Sequence, residues 1–234
     1  MEEDRIIWRY LNPYIFISQL IRKEFLFVRI TRMEDKTESL LKQQSFYECI
    51  VPGGRNKKSF ENERKATLAK IKATAEDHFI SSWTYCEYEN LMFWQNFTSK
   101  NGGVAIKSKT RKVFNNIPSS FKLIGRPIVY YPSLKRKFSL DPFSVEDRIF
   151  SKYRDFDFEQ EYRFAIYSPD LIFKDKSKND FKTIEVDFNS IIDTIIISPL
   201  MKKSDSEFLL NTIKGIDKTL FDKIQFSSIK NLKN

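Results

Sequence analysis

The stretch "FEQEYRF", Phe158 to Phe164, decides how the fold is interpreted. Side chains alternate between the two faces of an extended strand, so Glu159, Glu161 and Arg163 are expected on one face and the rings on the other. This pattern predicts a β-strand with one charged face and one mostly aromatic face. The charged face is either the solvated side of a sheet or the floor of a site that uses a carboxylate for chemistry.

On either side of this strand, short β-prone runs are mixed with helical patterns. Strands are predicted for RIIWRY, FLFVRI, HFISSWTYC, GGVAIKS, IGRPIVYY, FKTIEVDF and IDTIIISP. Helices are predicted for NPYIFISQLIRKE, YENLMFWQNFT, SDSEFLLNTIKGI and two polar segments at 33–47 and 59–78. Asn12 is the expected cap of the first helix and Pro13 its first residue. The order predicts an α+β fold: a single domain over residues 1–234, with a mixed or antiparallel sheet and helices concentrated in the N-terminal half.

The composition predicts a packed interior rich in rings. Apolar residues make up 41% of the 234 residues and aromatic residues 15%, with 22 Phe and 10 Tyr against 6 Gly. A chain of this length can bury a core without disulfides or bound metals. No secretory signal pattern or membrane-length apolar run is visible, so the sequence predicts a soluble cytoplasmic protein without a membrane partner.

Histidine and cysteine are too scarce for the common metal sites. The chain has one histidine, His78, and two cysteines, Cys49 and Cys86, that have no partners at ligand spacing. Zinc hydrolases need several such ligands, and a Ser-His scheme could use only His78. We therefore predict no metal site and free thiols.

The positive charge is concentrated in the middle of the chain. The net charge is +9, and the segment from Asn90 to Leu140 has ten basic and no acidic residues. Such a field attracts nucleic acid, the phosphates of a nucleotide or an acidic protein, although a merely solvated basic surface has the same composition. The nucleic-acid-binding residues predicted from this segment are Lys107, Lys109, Arg111, Lys112, Lys135, Arg136 and Lys137.

Several motifs occur in the order typical of one bacterial family. They are "IWRY", "FLFVRITRMEDKTESL", "ISSWTYCEYENLMFWQNFTSKNGGVAIKS", "FEQEYRFAI" and "IIISP". In this order they resemble the family called domain of unknown function 2971, over about residues 8–199, with 200–234 as a C-terminal helix and tail. The usual Asp-Pro-Phe-Glu is replaced by "EDKTE", which keeps Asp35 and Glu38, and Phe93 separates the usual Met-Trp pair.

The order of polar residues is also similar to that of ADP-ribosyltransferases, and this similarity implies a related fold with NAD as substrate. Arg9 would then meet the NAD phosphates or ribose, and Ser82 and Thr84 would organise the strand at the nicotinamide ribose. Glu161 would be the catalytic carboxylate, and Glu159 would position or deprotonate the acceptor.

The same similarity suggests stacking partners and a biological role. Tyr10 and Trp94 would stack on the adenine or nicotinamide. The implied protein is an ADP-ribosyltransferase or NAD glycohydrolase, acting as a bacterial toxin or phage-defence effector on a nucleic acid or an acidic protein.

Two other functions remain open from the sequence. One is a non-catalytic module that binds nucleic acid through residues 100–137, where Tyr130, Tyr131 and Phe138 lie among the cations. The other is a metal-dependent nuclease using Asp35, Glu38, Glu159 and Glu161, which would require these acids to converge from three elements.

Overall fold

The computed structural model describes residues 3–32, 62, 65–66, 77–131, 149–167 and 180–229. The chain divides into two compact units. The first unit comprises Met1–Leu26, Ser82–Ser119 and Thr183–Asn234, and the second unit comprises Phe27–Ser81 and Ser120–Lys182. The single domain expected over residues 1–234 stays a prediction.

The described residues form a mixture of helices and mostly antiparallel strands, which confirms the α+β class. The strands are β1 Ile6–Leu11, β2 Glu24–Arg29, β3 His78–Thr84, β4 Val104–Lys109, β5 Lys122–Pro127, β6 Val129–Tyr131, β7 Ser151–Tyr153, β8 Glu161–Tyr167, β9 Phe181–Glu185, β10 Thr194–Ile197 and β11 Ile224–Phe226. The α-helices are α1 Pro13–Arg22, α2 Leu91–Phe97, α3 Thr110–Asn116, α4 Phe188–Ile191, α5 Lys203–Ile216 and α6 Lys218–Phe221.

The first unit is built on the long antiparallel pair of β1 and β4. Their register runs from Ile6 opposite Lys109 to Leu11 opposite Val104. Strand β10 pairs with the other edge of β4 in antiparallel orientation, and β11 continues in parallel beside β10. β-Branched and aromatic side chains dominate β1 and β10, as expected for strands that are buried on both faces.

Helix α1 begins where its sequence predicts and ends two residues earlier than predicted. The side chain of Asn12 accepts a hydrogen bond from the Tyr14 backbone, and Pro13 occupies the first turn, where no amide partner is needed. Lys23 ends the helix in the left-handed region at φ 54°. The buried face carries Phe16, Gln19 and Leu20. The predicted helix is therefore confirmed, although it ends before the last two residues of the predicted segment.

The turn before β4 requires glycine. Gly102 has φ +87°, a conformation that L side chains rarely adopt. A Cβ atom at Gly103 would lie 2.6 Å from the Thr98 Cβ and still closer to the Leu11 carbonyl oxygen. This close approach lets β4 start directly against the end of β1.

The second unit places β5 beside β8. These strands are antiparallel, from Lys122 opposite Tyr167 to Pro127 opposite Tyr162. An apolar cluster holds the unit together and consists of Ile30, Ile80, Ile128, Ile149, Phe150 and Ala165.

Two predicted strands have different limits in this unit. The segment "IGRPIVYY" does not form one strand, because β5 ends at Pro127 and β6 begins at Val129. A strand that starts at Phe158 is also wrong: a 3₁₀-helix covers Arg154–Glu159, and Gln160 has φ 42°. The left-handed Gln160 breaks the alternation, so Glu159 does not extend the face formed by Glu161 and Arg163.

Candidate functional site

Strand β1 places Arg9 among aromatic rings of the first unit. Its guanidinium lies 5.0 Å from the centre of the Phe25 ring and 5.9 Å from that of Trp83. The two rings are stacked with their centroids 5.9 Å apart. The Arg9 Nη2 donates a hydrogen bond to the Leu26 carbonyl at 3.2 Å. Arg9 is thus held by rings and one backbone oxygen.

Arg9 has no acidic partner within the described part of the chain. It is 9% exposed, and its Nη1 has no hydrogen-bond partner among those residues. Burial lowers the pKa of Arg9 to about 10, because the charged form loses hydration. The side chain therefore remains positive at neutral pH. A buried cation without a counter-ion is costly, and a bound anion would relieve that cost.

The two aromatic residues predicted to contact the cofactor belong to the core of the first unit. The rings of Tyr10 and Trp94 meet edge to face with centroids 4.9 Å apart, and Phe93 packs on Tyr10 at 5.5 Å. The Tyr10 hydroxyl accepts a hydrogen bond from the Asn90 amide at 3.1 Å, and burial raises the pKa of Tyr10 above its usual value. This packing leaves neither ring exposed for stacking on a ligand, so the geometry does not support that prediction.

The two predicted hydroxyl residues lie on β3. Thr84 is buried and faces Trp8 of β1 in the strand register. The Ser82 Oγ is buried and has no hydrogen-bond partner among the described residues. By strand alternation, Ser82 and Thr84 share one face, whereas Trp83, which contacts Arg9, is on the other. The structure therefore does not bring Arg9 and the two hydroxyls to one face of β3.

Trp94 is fixed by a carboxylate that the sequence did not single out. The Trp94 indole donates to Glu89 at 3.1 Å, and Glu89 also accepts from the Ser227 hydroxyl at 2.6 Å and the Ser228 amide at 2.6 Å. Partial burial acts to raise the pKa of Glu89. The hydrogen bonds from Ser227, Ser228 and Trp94 lower the pKa by more than burial raises it, so the net shift is downward. Glu89 thus ties the segment after β11 to the core.

Acidification is expected to weaken the hydrogen bonds between Glu89 and the segment after β11. A carboxylate whose pKa is lowered by folding adds stability above its unfolded pKa, and this stability is lost as the pH falls through the folded value. Hydrogen exchange of the Ser228 amide should therefore accelerate, relative to core amides, as the pH falls through the lowered pKa of Glu89, below the usual range of a glutamate. In Glu89→Gln the exchange should be fast already at neutral pH. Equal protection of the Ser228 amide from exchange in wild type and Glu89→Gln at neutral pH would contradict this role of Glu89.

The second unit contains the predicted catalytic carboxylate, Glu161, in a buried ion pair. Arg163 Nε lies 2.7 Å from Glu161 Oε1, and Arg163 Nη2 lies 2.8 Å from Oε2. The remaining Arg163 nitrogen, Nη1, donates to the Ile149 carbonyl at 2.6 Å. Both Glu161 and Arg163 are buried. The charged face of "EYRF" is therefore an internal ion pair and not a solvated surface.

Glu159 reaches the same cluster from the end of the 3₁₀-helix. The Lys152 ammonium lies 2.6 Å from Glu159 Oε2 and 3.6 Å from Glu161 Oε2. Sequence reasoning missed Lys152, because one lysine in the short strand β7 carries no motif. Among the described residues, no group of three or more His, Cys, Asp and Glu side chains could hold a metal ion. Glu159 and Glu161 contact cations of the chain instead.

Only part of the predicted nucleic-acid surface can be described. Lys109 and Arg111 are exposed at the start of α3. Lys112 is paired with Asp193, and the Lys107 ammonium lies 5.2 Å from the centre of the Trp8 ring. Lys135, Arg136 and Lys137 lie outside the described residues, as do Asp35 and Glu38.

Two surface cavities of the first unit differ in charge and size. One, of about 280 Å³, is lined by Leu26, whose carbonyl binds Arg9, by the oppositely charged Arg22 and Glu24, and by further residues of α1 including Gln19. The other, of about 620 Å³, is lined by Glu185, Asp187 and Asp217. Asp187 and Asp217 cap helices α4 and α6, so their carboxylates have a structural role. The acidic cavity does not suit an anionic ligand.

Comparison with known proteins identifies no relative: no family model, no curated protein and no solved structure matches this chain. The resemblance to domain of unknown function 2971 and to ADP-ribosyltransferases stays a prediction. In the described part of the chain, no helix is long and apolar enough to cross a membrane.

Proposed function

We propose that this protein is an NAD-using enzyme of the ADP-ribosyltransferase or NAD glycohydrolase type, in which Arg9 binds the pyrophosphate. The observation that carries the proposal is the Arg9 guanidinium, whose buried Nη1 has no hydrogen-bond partner among the described residues. The resemblance supplies the identity of the anion. In the reaction the bond between C1′ of the ribose and the nicotinamide ring nitrogen breaks, and nicotinamide leaves with the electron pair. Water or an acceptor group then adds at C1′ and loses a proton.

Arginine suits this role for two physical reasons. Its planar guanidinium can donate two parallel hydrogen bonds to a phosphate group, which a lysine cannot do. Flanking rings hold the guanidinium in place, so less side-chain entropy is lost when the anion binds. The catalytic roles of Glu159 and Glu161 stay predictions of the resemblance, and the proposal for Arg9 does not depend on them.

Arg9→Met is expected to abolish ligand binding without destabilising the free protein. Methionine removes a buried charge that has no acidic partner among the described residues and keeps much of the apolar stem, so the melting temperature of the free protein should be unchanged or higher. At saturating NAD, ADP-ribose or pyrophosphate, wild type should melt a few degrees higher, about 2–4 °C for each kcal/mol of binding. The variant should lose this rise in a thermal-shift titration.

Two variants serve as controls. Arg9→Lys keeps the charge and loses the planar fork, so an intermediate loss is expected. Arg111→Met removes the same charge from an exposed position of the first unit and should leave the ligand-induced shift intact. No shift with any of these ligands in wild type, together with no nicotinamide release in the presence of RNA, DNA or cell lysate, would rule out the proposal.

Nucleic-acid binding is the alternative, and the exposed Lys109 and Arg111 are its described candidates. Of the four described cations predicted for it, Lys107 and Lys112 already contact Trp8 and Asp193. Binding that weakens steeply with salt and is reduced in Arg111→Met, while Arg9→Met has no effect, would favour this alternative.

A further inference from the structure

Gln19 is a buried polar residue of the first unit that the proposed function does not yet use. It lies on the buried face of helix α1 together with Phe16 and Leu20, and it is 7% exposed. Burying an amide costs free energy unless its polar atoms are hydrogen-bonded. The hydrogen bonds of Gln19 therefore show what this side chain holds in place.

The Gln19 amide contacts the backbone of Leu26 in strand β2. Its Oε1 accepts a hydrogen bond from the Leu26 amide at 3.3 Å, and its Nε2 donates to the Ile15 carbonyl on α1 at 3.5 Å. The contact to Ile15 is at the outer limit for a hydrogen bond and contributes little. The bond to Leu26 is thus the shorter of the two, and it links α1 to β2.

Leu26 also holds the Arg9 guanidinium. Its carbonyl accepts a hydrogen bond from Arg9 Nη2 at 3.2 Å. In an extended strand the N–H and C=O groups of one residue point to the same edge, so Gln19 and Arg9 meet Leu26 on one side of β2. Because the backbone of Leu26 makes both contacts, its position sets the position of the guanidinium.

The bond to Leu26 also distinguishes the two terminal nitrogens of Arg9. Nη2 donates to the Leu26 carbonyl, whereas the buried Nη1 has no hydrogen-bond partner among the described residues. The Phe25 and Trp83 rings lie 5.0 and 5.9 Å from the guanidinium carbon. Attraction to a ring face is less directional than a hydrogen bond and does not select one nitrogen. The orientation of the guanidinium therefore depends on Leu26.

We propose that Gln19 is the positioning residue of the Arg9 site: through the backbone of Leu26 it fixes the guanidinium so that Nη1 faces the bound anion. The naming of that anion as a pyrophosphate rests on the proposed function. Gln19 itself does not touch the ligand in this arrangement and acts only through Leu26 and Arg9.

Nitrogen NMR of the arginine side chains tests the positioning without a ligand. Rotation about the Nε–Cζ bond exchanges the two Nη positions, so a fixed guanidinium gives separate ¹⁵Nη signals and a rotating one gives their average. Wild type should show separate Arg9 signals, which are identified by their loss in Arg9→Lys. These signals should merge in Gln19→Met. Gln19→Glu keeps an accepting oxygen for the Leu26 amide and should retain separate signals.

Calorimetric titration with inorganic pyrophosphate is the second measurement. Gln19→Met should bind pyrophosphate about tenfold more weakly than wild type, because a hydrogen bond from a charged donor is no longer aligned before binding. Leu20→Ala is the matched control, since it removes a buried side chain from the same face of α1 and keeps Gln19. It should bind as wild type does, whereas a merely structural role of Gln19 predicts the same affinity in both variants.

The outcomes separate this inference from the proposed function. Separate Arg9 signals in folded Gln19→Met, or a pyrophosphate affinity equal to that of Leu20→Ala, would overturn the inference and leave the proposed function standing. If Gln19→Met does not fold, a single averaged Arg9 signal in wild type or in Gln19→Glu would still overturn it. Merged signals in Gln19→Met, with no binding of NAD, ADP-ribose or pyrophosphate to wild type and no nicotinamide release, would uphold Gln19 as the residue that positions Arg9 and refute the proposed function.

Discussion

Replacing Glu161 by alanine is expected to lower the free energy of unfolding of the second unit by about 3–5 kcal/mol, because the buried Arg163 would lose the carboxylate that binds its Nε and Nη2. Arg163 is fully buried, and its Nη1 would keep the hydrogen bond to the Ile149 carbonyl. Glu161→Gln keeps the shape and loses the charge, so a smaller loss is expected. Chemical denaturation followed by far-ultraviolet circular dichroism measures both variants.

A double-mutant cycle isolates the ion pair. Glu161→Met combined with Arg163→Met replaces both charges by apolar side chains of similar length, which is often neutral or stabilising in a protein interior. The double variant should therefore be more stable than either single variant. Hydrogen exchange of residues 149–167 localises the effect to the second unit. A Glu161→Ala protein within about 1 kcal/mol of wild type would show that the pair is not buried as described.

This result also bears on how an activity test is interpreted. If Glu161→Gln loses nicotinamide release, the loss has two explanations: a missing catalytic carboxylate or a destabilised second unit. Glu159→Gln leaves the bidentate pair of Glu161 and Arg163 intact, so a loss of activity in this variant is easier to assign to the carboxylate itself. Activity at a temperature well below the melting point of each variant distinguishes the two explanations.

The sequence predicted the fold class and several elements because local rules decide them. Helix α1 follows from the cap at Asn12 and the proline after it, and β4 follows from the double glycine before a β-branched run. Helix α5 follows from its amphipathic pattern at Lys203–Ile216. In each case the preference of the segment agrees with its tertiary environment.

The details of the candidate site could not be predicted in the same way. The alternation in "FEQEYRF" assumed one extended backbone, and a single left-handed residue, Gln160, removed Glu159 from that strand. Partners distant in sequence or on other elements were also invisible: Lys152 reaches Glu159 from β7, and Glu89 holds Trp94 together with Ser227. Such contacts depend on tertiary packing, which no spacing of residues encodes.

Trp94→Ala is expected to lower the free energy of unfolding of the first unit by about 3–5 kcal/mol, the usual cost of removing a buried tryptophan side chain. Trp94 is fully buried against Tyr10 and Phe93, and its indole donates to Glu89. The remaining tryptophans, Trp8 and Trp83, both lie in the first unit, so their fluorescence can follow its unfolding in urea. Met92→Ala on the same helix is the matched control, because this exposed side chain should cost about 0.5 kcal/mol or less.

Trp94→Phe separates packing from ligand contact. Phenylalanine keeps an aromatic ring and removes the hydrogen bond to Glu89, so a loss of about 1–3 kcal/mol is expected for a bond to a charged acceptor. Because the Trp94 ring packs inside the first unit, the ligand-induced thermal shift should stay at its wild-type size in this variant, whereas Arg9→Met should lose it. A Trp94→Phe protein as stable as wild type but unable to bind NAD would restore the stacking role that the sequence suggested and would refute the structural role argued from the burial of Trp94.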